Sequence, residues 1–317
     1  MQGLRKFRVA CLQLTSGDNL QKNIEKTCEL IRQARGAGAD FILTPENTGM
    51  MSAESLTGGM FNLERVPFET DHPALEAFRK EATSTGAWLL IGSLGVRIPA
   101  DNHRMVNRSY LISPSVPASD PRAVAQKLGT IVSFYDKIHM FDVPSLNLAA
   151  NESYKESQRV RPGQLAVLAD TPWGKVGQTI CYDVRFPQLY RDLASAGASF
   201  LTVPAAFTRI TGAAHWHVLL RARAIETGCF VFAPAQCGVH PGGRTTYGHS
   251  LIIDPWGTIL ADKGPDDVGF ITADIDPALV ASTRTRVPSL SHTRSYTVQQ
   301  VAMADQQDAT KDHRSKL

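Results

Sequence analysis

Cysteine pairs, long apolar runs and an excess of charge of one sign are all missing from this chain. Its five cysteines, Cys11, Cys28, Cys181, Cys229 and Cys237, are odd in number and include no Cys-x-x-Cys spacing. This argues against a disulfide framework and a cysteine-rich zinc site, and for a reducing compartment. No apolar stretch approaches the roughly 20 residues of a membrane-spanning helix. The opening Met-Gln-Gly-Leu-Arg-Lys-Phe runs straight into a strand and leaves no room for a signal peptide, so a cytoplasmic protein with no membrane partner is expected. The formal net charge is only +3 and the basic residues are scattered, which gives no reason to expect nucleic acid as a partner.

What is present suits a large soluble α/β protein: 317 residues, 43% hydrophobic and 20% charged, with ample material for a core. The chain is organised around Lys175-Val-Gly-Gln-Thr-Ile-Cys-Tyr-Asp-Val-Arg-Phe-Pro-Gln-Leu-Tyr190. Val176 to Ile180 reads as a buried strand, Cys181 as a sharp turn, and Pro187 as the opening of a helix. A thiol at such an elbow sits where backbone N–H groups converge, a setting that favours a thiolate and, later, an oxyanion. Alone, Cys181 reads equally as a small core hydrophobe. The adjacent Asp183 and Arg185 favour a functional reading: Arg185 is placed either to pair with Asp183 or to hold a substrate carboxylate. The other four cysteines lie on apolar strands or an apolar helix face and read as packing.

Phe7 to Leu14 is a near-continuous apolar strand, followed by a helix over about Asp18 to Ala37 with Asp18 as its N-cap. Phe41 to Leu43 delivers Glu46 just past a strand end, where chemistry is usually placed in sheets fed by βα units. Thr48 to Phe68 reads as a long loop over a pocket, and Pro73 to Thr85 as a short helix. The strand beginning at Ile131 ends in Asp136, Lys137, His139 and Asp142, a cluster that is either a site or a solvated rim. A helix from about Ala213 to Thr227 carries His215 and His217. These stand two residues apart and point to different sides of a helix, so no metal site is expected from them. Strands outnumber helices and several are separated only by turns, a pattern of two sheets face to face with helices outside.

Three strand ends thus offer a carboxylate, an ammonium and a thiol. Together they form a complete set for attack on an amide carbon: Glu46 to move the proton, Lys137 to stabilise negative charge, and Cys181 as nucleophile. Thr-Pro-Glu46, Tyr-Asp-Lys137-Ile-His and Ile-Cys181-Tyr-Asp-Val-Arg-Phe-Pro resemble the three signature motifs of the nitrilase superfamily of carbon–nitrogen hydrolases. The resemblance covers roughly Phe7 to Asp276. It implies a four-layer αββα sandwich, a Glu46–Lys137–Cys181 triad, no cofactor and no metal, and a homodimer or higher oligomer. That assembly is expected through Trp216 to Glu226 and the helix after Pro187. Residues 7–276 would form the hydrolase domain, 277–306 an extension with oligomer contacts, and 307–317 a disordered tail.

Glu156-Ser-Gln-Arg-Val-Arg-Pro-Gly163 fits the superfamily's second glutamate, which implies that Glu156 positions Lys137. The backbone N–H of Tyr182 would share the oxyanion with Lys137. Within the superfamily, Ala235-Gln-Cys-Gly238, Tyr247-Gly-His-Ser250 and Asp254-Pro-Trp-Gly-Thr258 look most like the Nit branch. There the equivalents of Arg185, Phe207 and Thr211 line the pocket for an α-keto acid. The substrate implied is a small carboxylate-bearing amide, deaminated glutathione ahead of α-ketoglutaramate. An N-carbamoyl amino acid is the alternative. A non-catalytic scaffold and a papain-like Cys–His enzyme using His215 or His249 are the other readings, and the latter leaves Glu46 and Lys137 unexplained. Two departures stand out: His217 replaces a usually acidic residue, and Ser113 to Gly129 is longer than usual. The terminal Ser315-Lys316-Leu317 reads as a peroxisomal address only in a eukaryote.

Overall fold

The computed structural model describes residues 5–51, 63–99, 101–144 and 154–301. Most of the Thr48 to Phe68 loop, Glu152 and the 307–317 tail with Ser315-Lys316-Leu317 fall outside the described residues. The first part of the chain contains β1 (Phe7–Leu14), α1 (Leu20–Gly36), β2 (Phe41–Leu43), α2 (Pro73–Thr85), β3 (Trp88–Arg97), β4 (Met105–Ser113), α3 (Pro121–Gln126) and β5 (Thr130–Asp136). A small ladder, β6 (Asp142–Val143) with β7 (Tyr154–Lys155), follows. Then come β8 (Val167–Thr171), β9 (Gly174–Gln178), α4 (Pro187–Ser195), β10 (Ala198–Thr202), α5 (Arg209–Thr227) and β11 (Phe230–Ala233). The last group is β12 (Ala235–Val239), β13 (Thr245–Tyr247), β14 (Leu251–Ile253), β15 (Ile259–Asp262), β16 (Gly269–Ile275) and α6 (Ala278–Arg286).

The strands form two large sheets. One runs β13-β12-β1-β2-β3-β4-β5, with β16 antiparallel to β1; the other runs β15-β14-β11-β10-β9-β8. Alternation along each strand decides which layer a side chain joins. Val9 and Cys11 of β1 face the second sheet and meet Phe200, Phe230 and Phe232, whereas Ala10 and Leu12 face α1 and α2. In β11, Phe230 and Phe232 point inward while Val231 and Ala233 join Leu189, Leu193 and Leu220 of the helices outside. Strands buried on both faces must be apolar at every position, which is why their sequences run without interruption. The result is an αββα sandwich. Trp173, from the β8–β9 turn, closes its central layer by stacking on Phe7 at 4.5 Å.

Local differences from the sequence reading have simple causes. Helix α1 is capped by Asn19, whose Oδ1 accepts the Lys22 N–H at 3.0 Å; Asp18 stands one residue too early. Helix α5 begins at Arg209, so Gly212 lies inside it; a Cβ there would stand 2.3 Å from the Tyr247 ring. The long Ser113 to Gly129 segment includes α3, started by Asp120 capping Ala123 at 3.1 Å and by Pro121 at its first turn. Trp216, placed on an expected dimer surface, is fully buried within the chain and donates its indole N–H to the His249 carbonyl at 2.8 Å.

One close approach positions the carboxyl-end loops. A bulge in β3 brings Gly92 against the loop after β2: a Cβ on Gly92 would lie 2.0 Å from the Thr44 carbonyl oxygen and 2.3 Å from that of Pro45. The same Cβ would strike Pro204 of the second sheet at 2.5 Å. Gly92→Ala is expected to destabilise the protein by about 1–3 kcal/mol through overpacking. Urea unfolding checks this; an unchanged midpoint would show that the loops yield freely.

Candidate active site

Glu46, Lys137 and Cys181 emerge from the carboxyl ends of β2, β5 and β9, two from one sheet and one from the other. The Lys137 Nζ lies 3.0 Å from Glu46 Oε1 and 2.9 Å from Glu156 Oε2. Both Lys137 and Glu46 are almost wholly buried. Glu46 is held at both oxygens, by Asn107 Nδ2 at 3.0 Å and by the Ala206 backbone N–H at 2.9 Å. Its own carbonyl accepts from Gln236 Nε2 at 3.0 Å. Glu156, on a short 3-10 turn after β7, accepts the Phe141 N–H at 2.7 Å.

Cys181 takes a left-handed backbone conformation, φ 49°, unusual for a residue with a side chain. Its N–H donates to the Pro204 carbonyl at 2.9 Å. The residues after it form a 3-10 turn, Cys181–Arg185, before α4 begins at Pro187. Asp183 holds this elbow. Fully buried, it accepts Tyr135 Oη–H at 2.7 Å, the Ile180 N–H at 2.8 Å, the His139 N–H at 3.0 Å and a contact from His139 Nδ1 at 2.7 Å. The alternative in which Arg185 answers Asp183 is therefore not the observed pairing. Arg185 Nη2 instead meets His215 Nδ1 at 3.3 Å, and its guanidinium lies over the rings of Tyr182 and Phe207.

The charge states follow from this packing. Burial alone would raise the Glu46 pKa, but the Lys137 ammonium and hydrogen bonds from Cys181 and Lys137 lower it, so Glu46 is a carboxylate. For Lys137, burial opposes the charged form, yet Glu156 and Glu46 push its pKa well above the usual lysine value. Burial and the neighbouring Glu46 charge push the Cys181 thiol well up, against the opposing pull of Lys137. Cys181 thus rests as a thiol beside the Glu46 carboxylate, where the elbow by itself pointed to a thiolate.

These groups open into a cavity of about 530 Å³. Phe207, Thr211 and Tyr182 line it together with Glu46, Lys137, Cys181 and Glu156, whereas Arg185 stands outside the lining. Arg244 was not singled out from the sequence, because nothing in Pro241-Gly-Gly-Arg244 marks it. It lines the cavity, donates to the Ala206 carbonyl through Nη2 and lies over the Tyr154 ring. Its Nε is buried without a partner among the described residues. Asn107, a buried amide on β4, was likewise not marked by the sequence, because Arg108 and Ser109 beside it make that end of the strand read as polar. His139 and Asp142 have structural partners: Asp183 for the first and the Ser157 N–H for the second.

A thiol, a carboxylate and an ammonium at the ends of two packed sheets define a hydrolase of carbon–nitrogen bonds other than peptide bonds. The family model "Carbon-nitrogen hydrolase" matches residues 8–285, and the chain belongs to that family. It is a cysteine amidase of the nitrilase superfamily, in the Nit branch. Deaminated glutathione amidase of Yersinia enterocolitica is 35% identical over 291 residues, 92% of this chain and 94% of the relative. The protein of the same name from Synechocystis sp. is 38% identical over 293 residues, 91% and 98% of the two chains. Among solved structures, the NitFhit protein of C. elegans superposes with a TM-score of 0.79 at 32% identity, covering 93% of this chain and 67% of that one.

Asp183→Ala would leave the Tyr135, Ile180 and His139 donors without their acceptor inside the core. A loss of about 3 kcal/mol or more is expected, measured by chemical unfolding. A loss below about 1 kcal/mol would remove Asp183 as the anchor of the elbow.

Proposed function

We propose that the protein hydrolyses the amide of a small carboxylate-bearing substrate through a thioester on Cys181. The observation that carries this reading is the buried Lys137 ammonium shared by Glu46 and Glu156 in the same cavity that Cys181 lines. As the sulfur attacks the amide carbon, Glu46 takes the thiol proton. The oxygen's new charge is met by Lys137 and the Tyr182 backbone N–H. The C–N bond then breaks, Glu46 returns the proton to the departing nitrogen, and the acyl group stays on sulfur. Water enters, gives a proton to Glu46 and attacks the thioester; the acid leaves and the thiol regains its proton. Glu156 holds Lys137 in place throughout.

The favoured substrate is deaminated glutathione, ahead of α-ketoglutaramate. Support comes from the names of the Yersinia and Synechocystis relatives and from the cavity wall. Arg244, with a buried Nε that has no partner among the described residues, is suited to an anionic end, and Phe207 and Thr211 bound the same space. Arg185 would act through the Phe207 ring or after moving inward. An N-carbamoyl amino acid presents the same carboxylate and is the competing substrate. Association into a homodimer through the outer faces of α4 and α5 belongs to the same reading, and light scattering that finds only the single chain at micromolar concentration would refute it.

Cys181→Ala is expected to abolish turnover with the fold intact, and normal kcat in that variant would end the scheme. Measuring kcat/KM on the three substrates for wild type, Arg244→Ala and Arg185→Ala tests the pocket. Loss of a charge-assisted contact should lower kcat/KM by roughly 10- to 100-fold in Arg244→Ala. If neither variant changes any substrate, or the carbamoyl compound is preferred, the substrate assignment fails.

The acid limb of the rate profile offers a further check. Glu46 must be ionised to act, and its pKa is lowered, so activity should persist below the ordinary glutamate value of about 4.3 as long as the protein remains folded. The stability this ionised carboxylate contributes is complete above that value and is lost as pH falls through the lowered one. In Lys137→Met the limb should move upward, because burial then acts on Glu46 without the opposing ammonium. A wild-type limb near pH 6 would contradict the assignment.

A further inference from the structure

Outside the reaction cavity, three side chains from distant parts of the sequence converge on one point. His217 stands on α5, His249 precedes β14, and Asp262 ends β15. His217 Nε2 lies 3.1 Å from Asp262 Oδ2, and His249 Nδ1 lies 2.9 Å from Asp262 Oδ1. The facing nitrogen and oxygen atoms all lie within 4.8 Å of one another. Two histidines on α5 alone gave no ligand pair: His215 turns to Arg185, and only His217 faces this point. The partners that complete the group are 32 and 45 residues away, out of reach of any spacing rule.

We propose that His217, His249 and Asp262 bind a divalent transition-metal ion of the zinc class. Two imidazoles and one carboxylate are a donor set such an ion prefers, whereas Mg²⁺ and Ca²⁺ prefer oxygen ligands. Bonds of about 2.0–2.2 Å in a tetrahedral site place ligand atoms about 3.3 Å apart. The two hydrogen-bonded separations here are a few tenths of an ångström shorter, so a metal can replace the shared protons with slight outward movement. To ligate, a neutral imidazole needs only to carry its proton on the other nitrogen.

The ligands are also held in place before any ion arrives. Asp262 Oδ1 accepts the Gly264 N–H at 2.8 Å. The His249 ring stacks on Tyr247 with centroids 4.5 Å apart, and the residue is fixed in a left-handed conformation, φ 53°. His217 sits on a helix and packs its ring edge-on to Tyr247 and His249. All three side chains are partly exposed, between 19% and 33%, so an ion can enter and water can complete its shell. Occupancy would tie α5 to the β14–β15 edge. The N-terminal end of that helix carries Thr208 and Thr211 of the cavity wall.

The test uses the full chain with Cys181→Ala, so that the reactive thiol cannot serve as a ligand. After chelator treatment, calorimetric titration with Zn²⁺ should find one saturable site per chain. Co²⁺ should give visible ligand-field bands without thiolate charge transfer. His217→Ala and Asp262→Asn should each weaken binding by about 100-fold or more, with the far-ultraviolet circular dichroism unchanged. Melting of the Cys181→Ala protein is a second readout that does not depend on either variant folding: Zn²⁺ should raise its Tm, Mg²⁺ should not, and EDTA should reverse the rise. Absence of saturable binding, a thiolate band, binding that survives His217→Ala, or an equal Tm response to Mg²⁺ would overturn the proposal.

Discussion

The structure depends on one buried cation. Lys137 is almost wholly buried and stands between two carboxylates, so its removal would leave two like charges facing each other without a cation between them. The three groups sum to one negative charge. That surplus is the capacity to accept a proton. In the proposed reaction the thiol gives its proton to Glu46, and the negative charge moves from oxygen to sulfur beside the same ammonium. The total inside the cavity is unchanged, so little of the surrounding dipole arrangement has to follow the proton.

Around this cation the fold acts as a jig. Glu46 and Lys137 come from one sheet and Cys181 from the other, while Ala206, on the loop after β10, donates its N–H across to Glu46. Gly92 lets the loops of the two sheets touch where any side chain would separate them. Asp183 gathers Tyr135, His139 and Ile180, joining the β5 strand end to the elbow that carries Cys181. Polar groups buried in this way are tolerated because nearly all are satisfied by neighbours with fixed positions.

The two-sheet sandwich was legible in the sequence because strands buried on both faces leave uninterrupted apolar runs separated by turns. Glu46, Lys137 and Cys181 were legible for the opposite reason: each is a reactive group where such a run ends. Glu156 needed the family resemblance, since a glutamate in a polar loop has no local mark. What stayed hidden depends on register between elements far apart in the chain. The partner of Asp183, the position of Arg185 outside the cavity lining and the presence of Arg244 within it are set by how the sheets and loops stack. Helix α5 begins at Arg209 and runs through Gly212, whose missing side chain leaves room for Tyr247, 35 residues later.

Because Glu46 and Lys137 come from one sheet and Cys181 from the other, the aromatic layer between the sheets holds them at a fixed spacing. Phe200 and Phe232, stacked with centroids 5.6 Å apart, lie in that layer with Phe7 and Trp173. The interior of the sandwich therefore works as a spacer gauge for its rim. A methylene gained or lost deep in the aromatic layer would be felt at the rim as well as in the stability of the fold.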